Sequence, residues 1–113
     1  MNPSLKKGLL ATFVQMIDDL SGPKEIETFL RDFFDEDELE KYIKRISITY
    51  WLKKGRDNKN IERNLMATPK EILEAKKSIK KDGIKLALKK IEAEEWANKW
   101  VGEIDKIKKK KNV

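Results

Sequence analysis

Thr68, Pro69, Lys70 and Glu71 constrain this chain more than any other four residues. A threonine cap, a proline at the first helical position and a glutamate at the third satisfy the unpaired amides of a helix start reciprocally, so a helix opens here. It is expected to continue through Ile72, Leu73, Ala75 and Ile79 to Lys81, with Asp82 and Gly83 as its end. Before it, Asn58 to Leu65 reads as a short helix with Ile61 and Leu65 turned inward, and Met66 and Ala67 form the turn. Two short helices joined by a tight turn, the second capped and basic, form a helix-turn-helix pattern.

The rest of the chain also has helical periodicity, with no strand pattern and no internal repeat. Leu9, Leu10, Phe13, Met16, Ile17 and Leu20 recur at three- and four-residue steps from Pro3 to about Leu20. Ser21, Gly22 and Pro23 end that helix, and Pro23 is placed to start a second one with Ile26, Phe29, Leu30, Phe33 and Phe34 on its apolar stripe. Asp35 followed by Glu38 has capping-box spacing and predicts a third helix from there to about Lys54, with Gly55 as its stop. Ile84, Leu88 and Ile91 open a last helix, extended by Trp96, Trp100, Ile104 and Ile107 before a fraying KIKKKKNV end. The fold class is therefore all-α.

The third helix carries Leu39, Tyr42, Ile43, Ile46, Ile48, Tyr50, Trp51 and Leu52 on more than one face, so it needs cover on two sides. In 113 residues few helices are available for that. An interleaved homodimer with Ile43, Ile46, Tyr50 and Trp51 at its centre is the economical solution, and a central core helix is the other.

Cysteine and histidine are both absent, which removes disulfides, thiolate metal sites and the common imidazole base. Neither a Gly-rich phosphate loop nor a nucleophile motif is present, so the expectation is a non-enzyme with no metal and no cofactor. The apolar opening is closed by Asp18 and Asp19 with no small-residue cleavage site, which argues against a signal peptide. No apolar run reaches membrane-spanning length, and the expected compartment is the cytoplasm. The charge is one-sided. Residues 1–50 hold seven Lys/Arg against ten Asp/Glu, or −3, and residues 51–113 hold nineteen against ten, or +9. Such a gradient favours a polyanionic partner.

From Phe29 to Ile91 the chain resembles the Trp-repressor family, specifically its short bacterial branch of helix-turn-helix proteins. The resemblance is carried by DEDELEKYIKRISI, then WLKKG, then NIERNLMATPKEILEAKKSI as the motif, then DGIKLALKKI. It covers a little over half of the chain and needs no gap through the motif. It implies an intertwined helical dimer that docks its motif on double-stranded DNA as a transcriptional regulator. On this reading residues 1–22 are an N-terminal helix extension, 23–104 the helix-turn-helix domain and 105–113 a basic tail.

Four positions depart from the family pattern. Met66 stands where the family has a turn glycine, and a bulky residue at positive φ costs roughly 1 to 2 kcal/mol. Either Asn64 takes that conformation or the turn differs. Glu62 replaces a small apolar residue, implying a more open helix angle or an exposed site. Glu74 and Lys44 stand where tryptophan-responsive members clamp their ligand with arginines. A carboxylate at one clamp reverses the electrostatics, so free tryptophan is not the expected effector.

Docked in the way the resemblance implies, the second motif helix offers Thr68, Lys70, Glu71 and Glu74 to base edges. Lys70 suits guanine, Glu74 suits cytosine, and Glu71 is also explained by capping alone. Lys53, Lys54, Arg56 and Lys59 at the motif entry, and Lys76, Lys77, Lys80 and Lys81 along the second helix, are phosphate candidates, with Lys108 to Lys111 as a further contact. The alternative expectation is a helical dimeric interaction protein that kept the fold without sequence reading. A small RNA-binding factor fits the basic charge but lacks aromatic platforms.

Overall fold

A computed structural model describes residues 1–111, with side chains described through Asn98. Among the described residues the chain is all-helical: α1 Pro3–Asp19, α2 Gly22–Phe33, α3 Glu36–Lys53, α4 Asn58–Leu65, α5 Pro69–Ser78 and α6 Asp82–Lys111. It divides into two compact units, Met1–Tyr42 and Ile43–Val113, with α3 beginning in the first and ending in the second.

In the first unit Asn2 caps α1, its Oδ1 accepting from the Ser4 amide at 2.8 Å. Gly22 turns the chain into α2 with φ of 71°, which places Pro23 one position inside the helix and not at its first residue as the sequence suggested. Phe13 of α1 meets Phe29 and Phe33 of α2 at ring separations of 6.5 and 6.1 Å. Phe34 closes the ladder against Tyr42 at 5.4 Å. The Asp35/Glu38 box forms as expected, Glu38 N–H donating to Asp35 at 2.8 Å and Asp35 N–H to Glu38 at 3.1 Å. No residue of α1 or α2 is buried.

The second unit holds the core. Ile48 of α3, Ile61 of α4, Ala67 of the turn and Ile72 and Ala75 of α5 are buried together, with Trp51, Leu52 and Leu65 packed around them. Tyr50 and, from α6, Leu88 are also buried. Thr49, the one buried polar residue among those described, donates its hydroxyl to the Arg45 carbonyl at 2.9 Å.

The end of α5 differs from the sequence reading. The helix stops at Ser78, not Lys81, and Ile79 leaves it in right-handed conformation. Asp82 and Gly83 do not terminate α5; they form the first turn of α6, where the Asp82 carboxylate suits the positive helix end. Gly83 has no positive φ and so does no capping. Leu73 lies outside the α5 core face, exposed. The side chains of Trp100, Ile104 and Ile107 and the basic end, Lys108 to Lys111 included, lie outside the described residues.

Candidate nucleic-acid interface

The helix end before the motif and the one at its turn close the same way, with different residues. At the end of α3, Gly55 takes φ of 86° and the Arg56 amide reaches back to the Trp51 carbonyl at 3.1 Å. The Arg56 guanidinium then stacks 3.8 Å from the centre of the Trp51 ring and donates to Asn60 Oδ1 at 3.3 Å. At the end of α4, Met66 takes φ of 52° and ψ of 41°, and the Met66 and Ala67 amides both turn back to the Glu62 carbonyl. Met66 itself, and not Asn64, adopts the left-handed conformation. Its side chain is 82% exposed, so it is spared any steric demand beyond the backbone cost. Glu62 is half-buried.

Asp57 caps α4, accepting from the Asn60 amide at 2.8 Å, a signal the sequence reading missed although an aspartate stands directly before the helix. Thr68 caps α5 as predicted: its hydroxyl accepts from the Glu71 amide at 3.1 Å, and Glu71 accepts from the Thr68 amide at 2.9 Å. Lys44 of α3 adds a contact that nothing in the sequence suggested. Its Nζ donates to the Met66 carbonyl at 2.7 Å and pairs with Glu71 at 3.1 Å. The Thr68 amide, first, and the Lys44 ammonium, second, hold the Glu71 carboxyl below its ordinary value.

The candidate residues therefore separate into groups. Lys70, at the start of α5, and Glu74, one turn further along, are exposed, whereas Thr68 and Glu71 have their polar atoms engaged in the cap. Lys59, Lys76, Lys77, Lys80 and Lys81 are exposed. Lys53 and Lys54 face Glu92 of α6 at 3.2 and 3.9 Å, and the two ammoniums, Lys53 foremost, hold the Glu92 carboxyl below its ordinary value. Lys54 also sits 5.8 Å from the Tyr50 ring centre. Tyr50 donates its hydroxyl to Glu95, and this bond, with burial and the Glu95 charge, pushes the phenol up to about 12. Of the core candidates, Tyr50 is buried, Ile46 and Trp51 are half-buried, and Ile43 is exposed.

Among the described residues no group of acidic side chains is placed to hold a metal ion, and no helix is long and apolar enough to cross a membrane. No protein-family model matches the chain, nor does any curated protein or solved structure.

Proposed function

We propose that the chain is a DNA-binding regulator with a Trp-repressor-like helix-turn-helix, acting as a homodimer and not responsive to free tryptophan. The observation that carries this reading is the α4–α5 turn: a left-handed residue stands where the resemblance calls for glycine, followed by a buried Ala67 and a capped helix start that leaves Lys70 exposed. The α5 N-terminus enters the major groove, with Lys70 and Glu74 facing base edges. Lys59, Lys76, Lys77, Lys80 and Lys81 supply the phosphate contacts, while Thr68 and Glu71 shape the helix start. Lys53 and Lys54, already facing Glu92, contribute less. Exposed Tyr42 and Ile43 on α3 favour the dimer.

Substitution separates reading from attraction. Lys70→Ala changes which duplex sequence is preferred, whereas Lys59→Ala weakens every duplex and lowers the salt slope by about one. If neither change affects duplex binding, the groove assignment is wrong. The second reading, a helical interaction protein, is favoured by the apolar side chains that α1 and α2 expose, Leu9, Leu10 and Phe33 among them. It predicts negligible duplex binding at physiological salt.

A further inference from the structure

A left-handed methionine is a costly way to turn a chain, and something outside the turn must favour it. The α4 carbonyl of Glu62 accepts the two turn amides but leaves the Met66 carbonyl without a backbone donor. That carbonyl is met by Lys44, twenty-two residues earlier on α3, at 2.7 Å. The same ammonium lies 3.1 Å from the Glu71 carboxylate, whose oxygen also holds the Thr68 amide. One cation thus touches the turn and, through Glu71, the capping box of the following helix. At a quarter exposed, its side chain is partly screened from water, and a charge-assisted bond there is stronger than a surface ion pair.

We propose that Lys44 is a positioning residue, a latch from α3 that fixes the left-handed turn and the start of α5 and thereby sets the helix presented to DNA. The consequence for DNA rests on the proposed function; the latch itself does not. A Glu71 carboxylate held toward Lys44 and the Thr68 amide is turned away from base reading, which leaves Lys70 and Glu74 as the readers on that helix.

Three variants test it: Lys44→Met, Lys44→Arg and Glu71→Gln, the last keeping an oxygen to accept the Thr68 amide. The amides of Ala67 and Ile72, which donate to Glu62 and Thr68 carbonyls, report the turn and the first turn of α5 by hydrogen exchange. Lys44→Met speeds their exchange about tenfold, with Ile48 and Leu88 unchanged, and Lys44→Arg restores most of the protection. Glu71→Gln gives a smaller increase and adds little on top of Lys44→Met. In an acid titration followed by NMR, the Ala67 amide of the wild type moves with a midpoint below the ordinary glutamate value, and Lys44→Met raises that midpoint. Duplex affinity of Lys44→Met falls about fivefold at an unchanged salt slope, because no phosphate contact is lost.

Unchanged exchange at Ala67 and Ile72 in Lys44→Met overturns the latch. A salt slope lower by about one overturns the positioning role in favour of a direct phosphate contact. If the wild type binds no duplex, the DNA reading fails, and exchange and titration still decide the latch.

Discussion

The two units of this protein use the same helical periodicity and reach different ends. Residues 1–42 pair Phe13 with Phe29 and Phe33 across a two-helix turn and bury no residue of either helix. Residues 43–113 bring α3, α4 and α5 onto one another, and Ile48, Ile61 and Ile72 lose nearly all contact with water. Two helices can cover only one side of each other's stripe. A third helix closes the remaining side, and that closure, not the stripe, makes a core. Periodicity thus specifies which face is apolar and leaves open what covers it.

The largest way to break this comparison is to cut the closed core and leave the open face alone. Ile72→Ala removes a side chain that is 1% exposed and is expected to cost about 2–5 kcal/mol in a denaturant titration. Leu10→Ala, at 59% exposed, changes stability by no more than about 0.5 kcal/mol in dilute protein. A comparable loss at Leu10 under dilute conditions would mean that the first unit has a core of its own.

A smaller effect sharpens the contrast between the helix end before the motif and the one at its turn. Gly55 meets its positive φ without strain, and Met66 does not. Met66→Gly is expected to stabilise the protein by about 0.5–1 kcal/mol, the relief of the left-handed strain less the added freedom of the unfolded chain. A destabilisation would show that the methionine side chain contributes more than its exposure implies.

The smallest effect compares the two capping boxes. The Glu38 amide, foremost, holds the Asp35 carboxyl below its ordinary value, as the Thr68 amide and Lys44 hold Glu71. Because both folded values are depressed, the stability they contribute is complete above the ordinary carboxyl range and is lost as pH falls through the lowered values. The α5 start is backed by buried Ile72 and by Lys44; the α3 start, within the first unit, is exposed. Carbonyl carbon shifts followed through an acid titration should show the first turn of α3 fraying before that of α5. The reverse order would remove the distinction.

What was legible in the sequence was local. Both capping boxes, the Gly55 stop and the short α4 follow from residues within four positions of one another. Asp82 and Gly83 suit a helix end and a helix start alike, and the absence of a positive φ at Gly83 goes with their place in the first turn of α6. The motif turn was legible as a turn but not in its conformation, since methionine carries no left-handed signal. The contacts of Lys44 with Met66, of Tyr50 with Glu95 and of Lys53 with Glu92 join residues far apart in sequence. No spacing rule reaches across them, and they decide which candidate cations and carboxylates remain open to a partner.

Binding of a randomised labelled duplex, followed by anisotropy at low and physiological salt with single-stranded DNA and structured RNA as competitors, tests the DNA-binding reading most directly. The expected result is duplex preference with steep salt dependence that survives at physiological salt. Absence of binding at both salts, or displacement by RNA in preference to duplex, would contradict it.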